Sequence, residues 1–213
     1  MIPKGTYPVT ALFLKSDMIL ELQENAVLAG IYDRARTPIL PGQIEYDNED
    51  GYYNLGSWEG NPIDSFASMI TGIHVKNVTI CGKGVLDGRA DFENWWSRPK
   101  DKIRAWRPRM IFLNHCENIT VVGVTVQNSP AWNLHPYFSN QIRFLDMEVK
   151  GPANSHNTDG CDPESCTNVE IAGVHFSVGD DCIAIKSGKI YMGKKFKVPS
   201  KHIHIRQSWM QDG

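Results

Sequence analysis

A short phrase of alternating polar and apolar residues recurs along the chain. Each copy opens with a polar residue and continues with apolar residues at every second position, many of them β-branched. A period of two is typical of a β-strand that buries one face. The last four steps between copies measure 41, 23, 27 and 34 residues. The six copies begin at Asp17, Asn77, Asn118, Gln141, Asn168 and His202.

A second short strand follows most copies after a Gly or Asn, most clearly at residues 123–126 and 173–176. No long amphipathic helix separates the strands. Short strands at steps of roughly 20 to 40 residues, with loops of variable length, predict a parallel β-helix in which each repeat is one coil. A β-sandwich is the alternative, but its hairpins often use Asn-Gly turns, and the chain has none.

The 213 residues, of which 41% are hydrophobic, suffice for one sizeable core. We therefore predict a single all-β domain over residues 1–213. Two insertions interrupt the repeat, at about 31–64 and at 91–109. The second carries Trp95, Trp96 and Trp106, which could form a lid, stack on a sugar or serve as buried anchors.

Two Asn-x-Thr sequences, at Asn77 and Asn118, match the glycosylation signal. Both stand at the first position of the repeated phrase. We favour a structural role for them, in which Asn at equivalent turns bonds to the coils above and below.

Charge is balanced overall, at −2, but two stretches are basic. Residues 98–109 hold six Lys or Arg against one Asp, and residues 182–211 hold no acid at all. Both could be solvated loops, or they could place a positive field around a site for an anionic polymer. We find no nucleic-acid motif, no apolar run long enough to span a membrane and no signal peptide. Five irregularly spaced cysteines are interpreted as buried thiols.

The candidate chemistry lies in two acidic segments, one ending at Asp159 and the other at Asp180 and Asp181. Asp159 precedes Asp180 by 21 residues, which is near one coil of the predicted helix. Neighbouring coils lie about 4.8 Å apart, so the three carboxylates should meet. Crowded carboxylates raise at least one pKa and can supply an acid beside a base, as hydrolysis of a glycosidic bond requires. A calcium site or a plain acidic turn is the alternative, but the spacing is not that of an EF-hand.

At these residues the sequence resembles glycoside hydrolase family 28, the polygalacturonase family. Asn157-Thr158-Asp159 and Gly179-Asp180-Asp181 match two of its motifs. The likeness extends over most of the chain to other short matches, which resemble bacterial members: residues 3–7, 13–16, 58–60, 84–88, 95–96, 107–109, 129–132, 135–136 and 183–188.

The resemblance implies a right-handed parallel β-helix and hydrolysis with inversion at the anomeric carbon. Asp180 would be the general acid, and Asp159 and Asp181 would hold and activate the attacking water. An inverting pair should lie roughly 6.5–9.5 Å apart. The resemblance implies no metal or organic cofactor, and an anionic polysaccharide or oligogalacturonide as substrate. A secreted or periplasmic location is typical of the family.

The resemblance also suggests that the chain is truncated at both ends. It stops at residue 213, where the family would continue to its Gly-His-Gly and Arg-x-Lys motifs, and it begins without the usual first coil. We therefore expect a piece of a longer enzyme, and the family's activity is expected of the complete enzyme.

Four further residues are candidate substrate contacts. His156 and Asn157 precede Asp159, and Lys186 follows Asp181 by five positions, where it could pair with a galacturonate carboxylate. His135, 24 residues before Asp159, could line the same groove from the previous coil.

The leading hypothesis is an exo-acting polygalacturonase, because long insertions can close one end of a groove. Alternatives are a rhamnogalacturonan or xylogalacturonan hydrolase of the same family and a non-catalytic carbohydrate-binding β-helix. A pectate lyase is a further alternative, but it would need calcium and an arginine base. The arrangement of the three aspartates argues against a lyase.

Overall fold

A computed structural model describes residues 1–43 and 54–213. These described residues form short strands and one short helix, α1 (Ile190–Phe196). In chain order the strands are β1 (Gly5–Val9), β2 (Leu12–Phe13), β3 (Met18–Leu22), β4 (Ala26–Gly30), β5 (Ile39–Leu40), β6 (Ser57–Trp58), β7 (Asn61–Pro62), β8 (Ser65–Phe66), β9 (Ile70–Ile73), β10 (Lys76–Gly82), β11 (Val85–Asp87), β12 (Ile111–Asn114), β13 (Glu117–Val122), β14 (Thr125–Gln127), β15 (Leu134–Tyr137), β16 (Asn140–Leu145), β17 (Glu148–Lys150), β18 (Thr167–Ala172), β19 (His175–Ser177), β20 (Lys201–Arg206) and β21 (Trp209–Asp212).

Three parallel sheets form the faces of a β-helix, which confirms the predicted fold class. One sheet has the order β1-β4-β11-β14-β17-β19-β21, the second β20-β18-β16-β13-β10-β3, and the third β15-β12-β9-β2. Each full coil contributes one segment to each face. Isolated backbone bridges continue the third face from β15 through Cys161 to Ile183, so it extends over two more coils.

The repeated phrase of the sequence forms the second sheet. All six copies fall in its six strands, and their alternating apolar residues stack from coil to coil. In one such row Val78, Ile119, Ile142 and Val169 lie in register, and each is almost completely buried. Full burial of an aliphatic side chain contributes about 1.5–3 kcal/mol, so these rows are the main source of the core's stability.

The polar first residue of each phrase makes the turn into the second sheet. All six of these residues have φ between 53° and 58°, a left-handed conformation that Asn and Asp tolerate better than most residues. Asn118 Nδ2 donates to Asn77 Oδ1 at 2.9 Å, and Asn77 Nδ2 donates to Asp17 Oδ1 at 2.8 Å. The structural role predicted for the two Asn-x-Thr sequences is therefore confirmed.

The two predicted insertions carry most of the remaining structure. The first, at about 31–64, contains β5, β6 and β7, and its residues 44–53 lie outside the described part of the chain. The second, at 91–109, is held by Trp95 and Trp96, each 3% exposed, which pack with Phe66. These two rings are buried anchors and present no surface to a sugar.

Two smaller features complete the description of the fold. All five cysteines are free thiols, and Cys116, Cys161 and Cys166 are buried, in agreement with their interpretation as core residues. Among the described residues, no helix is long and apolar enough to cross a membrane.

Candidate active site

The third face of the β-helix aligns the two acidic segments. A backbone bridge joins Cys161 to Ile183 on the next coil. Two positions before that bridge, Asp159 and Asp181 lie side by side, and Gly160 N donates to the Asp181 carbonyl oxygen at 2.9 Å. The two acidic segments therefore lie on neighbouring coils, as their spacing along the sequence predicted.

Three carboxylates meet at this point. One oxygen from each of Asp159, Asp180 and Asp181 lies within 4.8 Å of the other two. Asp159 is buried, Asp180 half-buried and Asp181 exposed, so the group runs from the interior to the surface. The closest oxygens are nearer than the expected separation of roughly 6.5–9.5 Å, so a water would have to lie beside the carboxylates rather than between them.

The same three oxygens could also face a cation. Ca²⁺ takes about six to eight oxygen ligands, whereas this group offers one oxygen from each of three residues. We assign no cation to the site.

Asp159 has the most strongly altered environment of the three. Burial and the neighbouring Asp180 charge raise the pKa of Asp159 to about 6, against the opposing effect of Lys186. A carboxylate with a pKa near 6 accepts a proton more readily than an ordinary Asp does. The site therefore contains one carboxylate suited to general-base chemistry close to neutral pH.

Lys186 lies against the buried side of this group. Its Nζ lies 3.6 Å from Asp159 Oδ2, 2.9 Å from Asp162 Oδ1 and 4.7 Å from the centre of the Trp132 ring. Burial alone would lower the pKa of Lys186, but Asp162 and Asp159 raise it above its ordinary value. The ammonium therefore stays charged, and it is held by two carboxylates.

Asp180 is oriented from the other side. Arg107 Nη2 donates to Asn157 Oδ1 at 2.9 Å, and Asn157 Nδ2 donates to Asp180 Oδ2 at 3.2 Å. Arg107 is 1% exposed and also donates to the Pro130 and His156 carbonyl oxygens, at 2.6 and 2.8 Å. The fixed guanidinium of Arg107 thus fixes the orientation of the Asn157 amide, and this amide in turn orients the carboxylate of Asp180.

An aromatic wall of Trp58, Trp106 and Trp132 adjoins Lys186. The rings of Trp58 and Trp132 stack at 4.5 Å, and those of Trp58 and Trp106 lie 4.9 Å apart. The guanidinium of Arg109 lies 5.2 Å from the Trp132 ring and 5.5 Å from the Trp58 ring. These contacts attach the β6–β7 hairpin to the coils that carry the carboxylates.

One protein-family model matches most of the chain. A family model described as glycosyl hydrolases family 28 matches residues 50–202. The chain belongs to glycosyl hydrolases family 28. The resemblance of the Asn-Thr-Asp and Gly-Asp-Asp motifs to this family is confirmed.

Curated relatives of this family 28 chain are named polygalacturonases. A probable polygalacturonase from Vitis vinifera is 32% identical over 208 residues, which are 97% of this chain and 40% of the relative. An endo-polygalacturonase from Pectobacterium carotovorum subsp. carotovorum is 33% identical over 156 residues, which are 68% of this chain and 38% of the relative. The chain spans about 40% of the length of these relatives.

Solved structures show the same fold. An exopolygalacturonase from Thermotoga maritima superposes with a TM-score of 0.82 at 27% identity, over 99% of this chain and 52% of that one. A family 28 exopolygalacturonase from Yersinia enterocolitica gives a TM-score of 0.78 at 22% identity, over 98% of this chain and 42% of that one, a likeness that concerns the fold alone.

Of the residues that the sequence placed at the site, five lie together in one cluster: Asp159, Asp180, Asp181, Asn157 and Lys186. The two histidines lie apart from it. His156 is exposed, and its ring packs edge-on against Phe92 at 6.1 Å. His135 is 0% exposed, and its Nε2 lies 3.0 Å from Glu164 Oε2. The structure thus places His135 beneath the site, because the Trp132 ring covers it at 4.9 Å, and not on the groove surface.

Sequence reasoning missed Asp162 and the roles of Arg107 and Arg109. Arg107 and Arg109 belong to a basic stretch that suggested a solvated loop or a diffuse field, yet both are buried. Asp162 stands three residues after Asp159, in a segment of the third face. The period of two along that segment was the available signal, because it sets Asp162 and Glu164 on the outer side, next to the site.

Proposed function

We propose that the protein containing this chain is a polygalacturonase that hydrolyses α-1,4-galacturonosyl linkages in pectin or polygalacturonate. The convergence of three carboxylates, with one oxygen of each within 4.8 Å of the others, carries this proposal. The family and the names of the curated relatives support the substrate class.

Each carboxylate would take one part of the reaction. Asp180 would donate its proton to the glycosidic oxygen as the bond from that oxygen to the anomeric carbon breaks. Asp159 and Asp181 would hold a water, which attacks the anomeric carbon and gives its proton to this pair. The raised pKa of Asp159, to about 6, supports the choice of Asp159 as acceptor, because that carboxylate binds a proton more strongly than an ordinary Asp.

Substrate contacts would come from groups around the carboxylates. Asn157 presents its amide beside Asp180, and His156 is exposed at the same turn. Lys186 supplies a positive field towards an acidic sugar, and His135 supports the site from below. No metal or organic cofactor enters these steps.

Incubation of the full-length protein with polygalacturonate is expected to release reducing ends, with inversion at the anomeric carbon. The family resemblance supports inversion. The short separation of the three carboxylates, whose closest oxygens lie within 4.8 Å of one another, is nearer to the roughly 5–5.5 Å that is usual in retaining enzymes, so the stereochemistry must be measured. Proton NMR of the first product, recorded before mutarotation, should show the β-anomer from an α-linked substrate. Release of the α-anomer would instead establish a retaining mechanism. Unsaturated products whose formation stops when a chelator is added would indicate a lyase. Binding of the substrate without turnover would indicate a non-catalytic protein.

A contact between the first insertion and helix α1 favours exo action. The β6–β7 hairpin leaves the helix between β4 and β9, whereas α1 leaves it between β19 and β20. Lys189 Nζ lies 2.7 Å from Glu59 Oε2, and Met192 N donates to the Gly60 carbonyl oxygen at 3.4 Å. This hairpin–helix bridge spans several coils beside the aromatic wall, where it would block one end of a groove. We propose that it restricts cleavage to chain ends.

Replacing Gly60 with Val is expected to open the hairpin–helix bridge and permit internal cleavage. Gly60 has φ +72°, and a Cβ there would lie 2.1 Å from Lys189 N. Chromatography of early products should change from one short product to a mixture of longer oligomers. Gly151→Ala is the matched control, because its Cβ would meet only Ser155 Oγ at 3.7 Å. A Gly60→Val enzyme that still released only the short product would contradict the blocking role.

A further inference from the structure

Asp162 is a buried carboxyl that the reaction described above does not use. It is 0% exposed, and its backbone N–H donates to the Leu134 carbonyl oxygen at 2.8 Å. Its Oδ1 lies 2.9 Å from Lys186 Nζ. Among the described residues, Oδ2 has no hydrogen-bond donor from a neutral group. A fully buried carboxylate that lacks such donors is costly, so its state must be explained by its charged neighbours.

The charged and titratable groups around Asp162 come from four successive coils. Lys186 faces it from the following coil, and Asp159 precedes it on its own coil. From the preceding coils, Arg109 is close enough for Asp162 to influence its charge, and His135 lies paired with Glu164. The thiol of the adjacent Cys161 is buried and stays protonated, because burial raises its pKa well above the usual range.

Asp159 and Asp162 are held against the same ammonium, because Lys186 Nζ lies 3.6 Å from Asp159 Oδ2 and 2.9 Å from Asp162 Oδ1, so a proton on one carboxyl can be shared with the other. Burial and the Asp159 charge raise the pKa of Asp162 well above its usual range. Two ionised carboxylates beside a single ammonium would leave an excess negative charge in the interior. One shared proton leaves a single negative charge against Lys186, and buried charges are tolerated when they are paired in this way.

We propose that Asp162 is a positioning residue, which holds a proton and donates it in a hydrogen bond to the Asp159 carboxylate while Lys186 serves as the fixed counter-ion of the pair. The inference rests on the proposed role of Asp159 as an acceptor of the water's proton. Asp162 touches no substrate. It acts by keeping Asp159 ionised in a buried position where Asp159 would otherwise become protonated.

Lys186 has a corresponding internal role. Its ammonium is fixed between the side chains of Asp159 and Asp162 and over the Trp132 ring, and its side chain is 22% exposed. A lysine held in this way cannot swing freely to follow a substrate carboxylate. Its main contribution is therefore the charge that it places beside Asp159 and Asp162.

Two nearly isosteric variants of Asp162 in the full-length protein test the inference. Asp162→Asn keeps a neutral donor towards Asp159, so kcat/KM should stay within about threefold of the wild type, with the same acid limb in its pH profile. Asp162→Leu removes the donor, so the acid limb should move up by about one pH unit and kcat/KM below the limb should fall about tenfold. Lys186→Met removes the counter-ion and should move the limb in the same direction.

The sign of the shift separates the possible results. If Asp162 were ionised, Asp162→Asn would remove a repelling charge and move the acid limb to lower pH, which would overturn the inference. An unchanged limb in both Asp162→Leu and Lys186→Met would overturn it as well. If Asp162→Leu does not fold, Asp162→Asn still separates the two states of Asp162, because the acid limb stays in place if Asp162 is protonated and moves to lower pH if it is ionised.

A titration that needs no activity keeps this inference separate from the proposed function. In protein labelled with ¹³C at the Asp carboxyl carbons, the Asp159 signal is identified by its loss in Asp159→Asn. Its titration midpoint should rise in Asp162→Leu and stay in place in Asp162→Asn. That result in an inactive wild-type protein would refute the proposed function and leave the hydrogen bond from Asp162 established. An active protein in which Asp162→Leu gives no such rise would support the proposed function and refute the hydrogen bond from Asp162.

Discussion

Replacing Asp180 with Asn in the full-length protein is expected to lower kcat on polygalacturonate by about 10²–10⁴-fold, the usual contribution of a general acid. The amide cannot protonate the leaving oxygen. It can still occupy the same volume beside Asn157, whose Nδ2 lies 3.2 Å from Asp180 Oδ2. Because the substitution removes a charge without creating a cavity, KM should change much less than kcat. Initial rates of reducing-end release, fitted over a range of substrate concentrations, measure both.

A matched control distinguishes chemistry from a general loss of negative charge. Glu24 is exposed in the turn between β3 and β4, and Glu24→Gln should leave kcat unchanged. A substrate whose leaving group needs no protonation, such as an activated aryl galacturonide, should recover most of the rate in Asp180→Asn. Full activity of Asp180→Asn on polygalacturonate would exclude Asp180 as the acid.

Replacing Asp159 with Asn is expected to stabilise the protein at pH 7 while impairing the reaction. Burial and the Asp180 charge raise the folded-state pKa of Asp159 from 3.8 to about 6. Below pH 3.8 the group is protonated in both the folded and the unfolded state, so it affects the free energy of unfolding little. As pH rises to about 6, the unfolded chain ionises more readily and the wild type loses stability. At about 1.4 kcal/mol per pKa unit, the loss at pH 7 is about 2–3 kcal/mol, which Asp159→Asn avoids.

Thermal unfolding at several pH values measures this effect. The Tm of Asp159→Asn should exceed that of the wild type at pH 7, and the difference should shrink to nearly zero below pH 4. Asp181→Asn is the control, because Asp181 is exposed and its replacement should change stability by less than about 0.5 kcal/mol. A less stable Asp159→Asn at pH 7 would contradict the cost assigned to the buried carboxylate.

Much of the fold could be predicted because it is built from one local pattern. The alternation after Asn77, Asn118 and Asn168 predicts strands, and each of these three residues makes a left-handed turn in the structure. Strands of one repeat can bury their apolar face only by stacking on the next repeat, so the pattern also predicts the solenoid. Helix α1 was missed because seven residues without a pronounced apolar face leave little signal.

The three aspartates were predicted to meet because stacking converts a distance along the sequence into a distance in space. Residues one coil apart become neighbours, and Asp159 and Asp181 required no further information. The partners of these aspartates come from unequal loops, so spacing did not reveal them. Arg107 reaches Asn157 from an insertion, and Trp58 reaches Trp132 from another.

The sequence by itself determined the β-helix, the family and the meeting of three carboxylates, because each follows from a repeat or from a short motif. Only the tertiary structure decided which carboxylate is buried, which cation balances it and which residues lie behind the site. Burial and charge at one atom depend on everything packed around it, and for Asp159 those neighbours are Asp162, Asp180 and Lys186. The two insertions and helix α1, which supply Trp58, Trp106 and the hairpin–helix bridge, follow no repeat, so only their packing could show that they meet beside the site.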